Sequence, residues 1–521
     1  MNANRRGVWQ FVLLAGLSMS IGWGVRGQFG HEYGAALAGA LGAMAVALLS
    51  GREDWRRRVA YFAVFGAIGW SFGGSMSYMK VVAFAHSPDT PTVLYGYANL
   101  FVIGFLWAAP GGAGTALPAY LSREKLTEFF IPMSAVFGGW LAQDIVEDLF
   151  RSSLRGMWFA QGLGITVPII AVLAVIAVRR KMDMGSSLVL HLCGGWWIGF
   201  LVLVRLFGLH MTPPREDGWA GCVGLVVGLL VYCRRHGLSG VGFATLATGF
   251  LGGIGFALGQ ALKSLYISTG LVTNWHSVME QTQGLLHGMA LAIAMALVLR
   301  RAPRVSDDPP VRAWTEVYAV VFVMWVLTYL NFRKSPVNWL PYIKSMPDRM
   351  YGIWGVGSFL PSRGFLGWFD LAFLALGAAL VWMLVLHLRR GLPLIPDSWL
   401  GKGQLLYLAF LWTTTIINFA DVLPRFAPQR LVTEWFITIN AAFCTVLMAV
   451  ASPVQREQEI PAEPEGSYAP WIRRTLAAGF AGAVLISVAG WRLKQAVYGD
   501  THIPHGGVHI RFGPNNTNDR R

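Results

Sequence analysis

The stretch Gly22-Trp23-Gly24-Val25-Arg26-Gly27-Gln28-Phe29-Gly30-His31-Glu32-Tyr33-Gly34 sets four hydrogen-bonding side chains, Arg26, Gln28, His31 and Glu32, in a glycine-rich turn between two apolar runs. Glycine lets the backbone approach a ligand closely. The free N–H groups that open the next helix favour an anion. Arg26 carries the planar fork that holds a carboxylate or phosphate through two parallel bonds. His31 and Glu32 are a pair that can exchange protons. The competing structural reading pairs Arg26 with Glu32 or uses both to cap the turn. Ionisable groups at membrane depth are costly, which makes a binding role the working expectation for these four. On that expectation Arg26→Ala and Glu32→Gln abolish activity and leave the amount of folded protein nearly unchanged.

A second set has the same chemistry. Gln260 and Lys263 end one apolar run, and Asn274, Trp275, His276, Glu280, Gln281 and Gln283 open the next. Each of the two turns therefore brings a cation, an amide and a carboxylate to a helix end. His287 lies deeper, where a lone helical histidine reads as a packed, hydrogen-bonded residue. Asp144 and Asp148 are four apart, as are Gln143 and Glu147, so each pair shares a helix face. They suit a cation or acid–base chemistry, or a solvated helix end facing Arg151 and Arg155. Arg205 and His210 end a further run, where Arg205 can snorkel or pair. The expected substrate-binding set is Arg26, Gln28, His31, Glu32, Asp144, Arg205, Gln260, Lys263, Asn274 and Glu280, and no catalytic residue stands out among them.

Later runs add Asn331, Asn418, Asp421, Glu434 and Asn440. The histidines His502, His505 and His509 lack a carboxylate or cysteine at a matching spacing, so they do not read as a metal site. Cys193, Cys222, Cys233 and Cys444 form no CxxC pair. The chain has no Walker A, dinucleotide, HExxH or GxSxG motif. Neither a metal nor a cofactor is expected.

The elements that must position these residues are transmembrane helices. Of the 521 residues, 55% are hydrophobic and 13% are charged, and the mean hydropathy is +0.49. A helix needs roughly 20 apolar residues to cross about 30 Å of hydrocarbon. Runs near that length recur at 8–24, 32–49, 59–76, 96–116, 127–143, 157–178, 187–206, 218–233, 240–259, 281–299, 314–331, 368–388, 404–420, 432–451 and 475–491. The expectation is an all-α, polytopic transmembrane bundle of about fifteen spans. Residues 1–312 form a region of ten spans, 313–493 a region of five, and 494–521 an extracytoplasmic tail. The loop 332–367 mixes Trp339, Tyr342, Tyr351 and Trp354 with basic residues, as interfacial segments do.

The net charge of +15 is not a nucleic-acid signal here, because Lys and Arg fall in short clusters between apolar runs. Arg56, Arg57 and Arg58, then Arg123 and Lys125, then Arg179, Arg180 and Lys181, then Arg234 and Arg235, then Arg300 and Arg301 recur after every second span. By the positive-inside rule the N-terminus is cytoplasmic, in a bacterial-type plasma (inner) membrane. The first ten spans then read as five helical hairpins of one orientation. Three share a signature at the end of the first helix: Ile21-Gly22-Trp23, Ile68-Gly69-Trp70 and Ile254-Gly255-Phe256. Gly138-Gly139-Trp140 and Gly194-Gly195-Trp196 are looser echoes, and an internal repeat is expected.

Two functions fit. A multi-pass transporter or permease would draw a polar or anionic solute to an outward-facing pocket. A membrane-embedded enzyme would act on a lipid-linked substrate at the extracytoplasmic face. Membrane lipid is the expected partner in both, and nucleic acid in neither.

Overall fold

The structure is a computed structural model. It describes residues 3–29, 31–76, 78–150, 160–211, 217–271, 273–299, 301–305, 313–328, 331, 377–378, 381–382, 385, 402–422, 428–450 and 468–504. The side chains of 27–33, with Gln28, His31 and Glu32, lie outside that description, as do those of Asp144 and Asp421. So do the loop 332–367 and residues 505–521.

No strand occurs among the described residues. The helices are α1 (Ala3–Phe29), α2 (His31–Leu49), α3 (Glu53–Arg56), α4 (Val59–Ser71), α5 (Met79–Ala85), α6 (Thr90–Tyr120), α7 (Arg123–Thr127), α8 (Phe130–Phe150) and α9 (Ala160–Arg179). They continue as α10 (Met184–Phe200), α11 (Gly218–Arg235), α12 (Ser239–Ile267), α13 (Trp275–Leu299) and α14 (Ala313–Val321). Three more follow, α15 (Lys402–Val422), α16 (Pro428–Val450) and α17 (Ala469–Tyr498). Side-chain caps start several of them. Asp89 accepts from Thr92 N at 3.0 Å ahead of α6, and Asp183 accepts from Ser186 N at 2.8 Å ahead of α10. The Thr92 hydroxyl and amide together hold the exposed Asp89 carboxyl below its usual range.

Six helices close a ring in the order α1, α2, α4, α6, α12, α13 and back to α1. Glycines set the spacing at every seam. A methyl group on Gly22 would stand 2.4 Å from Ala38 Cα, on Gly39 2.5 Å from Gly66 O, and on Gly69 2.5 Å from Pro110 O. On Gly104 it would stand 2.3 Å from Phe256 Cβ, on Gly255 2.8 Å from Leu286 Cβ, and on Gly284 2.5 Å from Met19 O. Small residues of this kind let helices in lipid pack backbone to backbone. The contacts run in opposite residue order on neighbouring helices, so α1, α4 and α12 rise where α2, α6 and α13 descend.

The other helices line the outside of the ring. α8 packs on α9, α9 on α10 and α10 on α11, and α11 touches α6 and α12. α15 and α16 lie on the α1 side, and α17 lies along α12 and α6. The helix pairs with the strict Ile-Gly-aromatic signature thus make the ring, and the pairs with looser echoes make the outer layer.

Among the described residues eight helices are long and apolar enough to cross a membrane: those within 90–120, 162–179, 184–206, 218–235, 239–267, 275–299, 433–450 and 469–498. Gly34–Leu49, Val59–Ser71 and Trp314–Leu327 are apolar but shorter. The expected span at 368–388 falls almost wholly outside the described residues. In α17 only 17% of the most apolar stretch is buried, against 89% in α6. Its outward face carries Phe480, Val484 and Leu485. Several long apolar helices with such faces are compatible with an integral membrane protein.

One end of the ring is stitched by arginines. Arg58 is fully buried and donates to Pro118 O and Leu121 O at 3.0 and 2.8 Å, where α6 ends. Arg52 donates to Ala302 O and Pro303 O at 2.8 and 2.7 Å, just past α13. The last carbonyls of a helix have no partner inside it, and cations are favoured there. Arg58→Ala is therefore expected to lower stability by about 3 kcal/mol, read from thermal unfolding in detergent, since it leaves buried carbonyls unmet.

Candidate functional site

At the end of the ring away from these arginines, α1 finishes, α13 begins and the chain turns between α4 and α5. Arg26, in the last turn of α1, is fully buried. Gly34 of α2 leaves it room, because a methyl there would stand 2.6 Å from Arg26 Cγ. Its guanidinium lies 4.7 Å from the Trp23 ring centre and 4.7 Å from that of Trp107. Two indole faces thus fix a planar cation. Arg26 Nη2 donates to Glu280 Oε1 at 2.7 Å and to the Tyr78 hydroxyl at 3.0 Å. Tyr78 donates to the same Glu280 oxygen at 2.6 Å, and His276 Nε2 stands 3.3 Å from it. The His276 and Tyr78 rings stack 6.1 Å apart. Side chains from α1, from the turn before α5 and from α13 therefore converge on one buried carboxylate oxygen. The set can hold a proton or trade it between His276, Tyr78 and Glu280.

Beside this cluster α12 presents Gln260 and Lys263, both buried. The Gln260 amide meets His86 Nε2 at 2.7 Å. The end of α17 and the chain beyond it cover the same end of the ring. Tyr498 donates to Ser264 O at 2.8 Å, and the fully buried Ile503 donates its N–H to His86 O at 3.0 Å.

Deeper in the ring, His287 donates from Nε2 to Gly252 O at 3.1 Å. The Trp23, Trp70 and Phe256 rings surround it at 4.9, 5.3 and 5.9 Å. The aromatic residues of the three signatures thus meet on one imidazole. His287 has the packed, hydrogen-bonded role that its position in the sequence suggested.

Known protein families, curated proteins and solved structures offer no match to this chain.

The structure brings together Arg26, Glu280, Lys263 and Gln260 from the expected set. Asn274 sits at the same end, where its Oδ1 accepts from Ser277 N at 3.2 Å and caps α13. Arg205 stands elsewhere. It lies on the π-helical continuation of α10, and α10 packs mainly on α8, α9 and α11. Asp144 belongs to α8 in the same outer layer. Gln28, His31 and Glu32 flank the junction of α1 and α2 next to Arg26, and their side chains lie outside the described residues. Tyr78 and Trp107 were missed from the sequence. Tyr78 lies just past the expected span 59–76, and Trp107 lies inside the expected span 96–116. Glu434 also has a buried partner, Asn418, on the α15–α16 side.

Proposed function

We propose that this chain is an integral membrane transporter or permease that takes a polar or anionic solute at the end of the ring formed by Arg26, Tyr78, His276, Glu280 and Lys263. The buried Arg26–Glu280 pair carries the reading. Ionisable groups inside a membrane bundle are rare and tend to mark solute or proton pathways. The N-terminus is cytoplasmic, which puts this site on the outer side, and the chain crosses about fifteen times. The six ring helices are three hairpins from one duplicated unit, and α8–α11 are two more. The ring supports this, because each signature glycine, Gly22, Gly69 and Gly255, packs on the second helix of its own pair.

A membrane-embedded enzyme acting on a lipid-linked substrate at the extracytoplasmic face is the second reading. Transport sites usually lie near mid-depth, and here that level holds His287 wrapped in aromatic rings. Charge movement in proteoliposomes on solid-supported membranes, read against a panel of organic carboxylates and phosphates, separates the two. Transport gives currents that Arg26→Met/Glu280→Met abolishes. The absence of current from every solute would favour the enzyme.

The orientation has its own test. Single cysteines near Arg56, Arg180, Arg235 and Arg301 are expected to resist an impermeant thiol reagent in intact cells. Labelling at two or more would reverse the assignment.

A further inference from the structure

We propose that Lys263 and Gln260 form an oxyanion subsite within this site and take a carboxylate or phosphate group of the ligand. The inference rests on reading this end of the ring as a binding site.

Lys263 is 5% exposed, yet among the described residues no acceptor engages its amine. The other buried cations differ. Arg26 meets Glu280, Arg52 and Arg58 meet backbone carbonyls, and Lys494 donates to Gly499 O at 2.6 Å. Glu280 is close enough for its charge to act on Lys263. Its Oε1 is already committed to Arg26, Tyr78 and His276.

Gln260 is fully buried and three residues earlier on the same helix, so the two side chains share a face. As placed, its amide nitrogen meets His86 Nε2 and its oxygen has no partner. Amide orientation follows the hydrogen-bond network. If the amide is turned, His86 can donate to the oxygen and the unmet group becomes the NH2. Two buried polar groups side by side then lack an acceptor. An oxyanion supplies lone pairs to both and countercharge to the lysine. A cationic ligand would face the like charge of Lys263.

A lysine retained for structure destabilises the protein when removed. One retained for a ligand stabilises the empty protein when replaced by an apolar side chain of like shape, because an unmatched buried ammonium is unfavourable. The test is thermal unfolding of the purified full chain in detergent, followed by tryptophan fluorescence. The probes are sodium phosphate and sodium acetate at constant ionic strength, and mixed micelles of phosphatidylglycerol against phosphatidylcholine.

For the wild type, at least one probe is expected to raise Tm by about 2 °C or more near saturation. A response to phosphate or acetate identifies a free solute. A response to phosphatidylglycerol over phosphatidylcholine identifies a lipid headgroup. Lys263→Met is expected to unfold at a higher temperature than wild type without probe and to lose the probe's effect. Should Lys263→Met not accumulate, Lys263→Gln is expected to fold and to need at least tenfold more probe for the same shift. The subsite is overturned if no probe shifts the wild type, if Lys263→Met is less stable than wild type without probe, or if the shift survives in Lys263→Met or Lys263→Gln. A shift that survives there but vanishes in Arg26→Met/Glu280→Met would leave the larger site standing. A shift that survives in all would remove both.

Discussion

Glu280→Ala is expected to cost about 3–5 kcal/mol of folding free energy, the range for stripping one partner from a buried ion pair. Arg26 is fully buried and its guanidinium sits between Trp23 and Trp107, so it has no easy route to water once the carboxylate is gone. Tyr78 would remain as a donor with no carboxylate to receive its proton. Arg26→Ala should cost a similar amount, because it strips the buried Glu280 carboxylate of its arginine. The double variant Arg26→Met/Glu280→Met removes both charges together and is expected to recover most of the loss. The measurement is a double-mutant cycle on unfolding in mixed detergent micelles. Near-additive losses across the cycle would mean that the pair is not coupled in the folded protein. The sequence alone led us to expect Arg26→Ala to leave folding intact. Burial corrects that expectation, so activity assays belong on the double variant.

The next largest effect should come from the seam where α13 meets α1. A methyl on Gly288 would stand 2.2 Å from Ala15 O and 2.7 Å from Gly16 Cα. Both are backbone atoms, so no rotamer change relieves the clash. Gly288→Leu must force the two helices apart, and overpacking of this kind typically costs about 1–3 kcal/mol, occasionally more. Because the ring closes at this seam, the expected result is loss of most folded protein by size-exclusion chromatography. Gly194 of α10 is the control, since nothing lies within 4 Å of a methyl placed there. Gly194→Ala is expected to be neutral or to stabilise by about 0.5–1 kcal/mol, from helix propensity. Equal behaviour of the two variants would contradict the close seam.

The helical class was legible because apolar runs and arginine clusters are local, one-dimensional signals. Arg26, Gln260, Lys263 and Glu280 were legible as a group because glycine-rich turns with ionisable residues stand out against apolar surroundings. The partition of the hairpins was not. Gly195-Trp196 and Gly69-Trp70 look alike on paper, yet α4 joins the ring and α10 the outer layer. Which helix lies next to which is set by long-range packing, such as Gly104 on Phe256, that no local window contains. Arg205 was grouped with the site because it lies at the end of a hairpin, a criterion blind to neighbours in space. Asn274 looked like a ligand donor and serves as a cap, a role its place just before a helix already permitted. Tyr78 carried no signal because its partners come from α1 and α13, far away in the chain.

The Arg26–Glu280 bond joins residues 254 apart in sequence. At roughly 5–20 residues per second of synthesis, Glu280 is made about 10–50 s after Arg26. During that interval α1 carries a cation whose final partner does not yet exist, and its guanidinium must be met by water or a provisional acceptor. Closure of the ring is then a late event in biogenesis, and the nascent chain before it is the species most exposed to quality-control proteases.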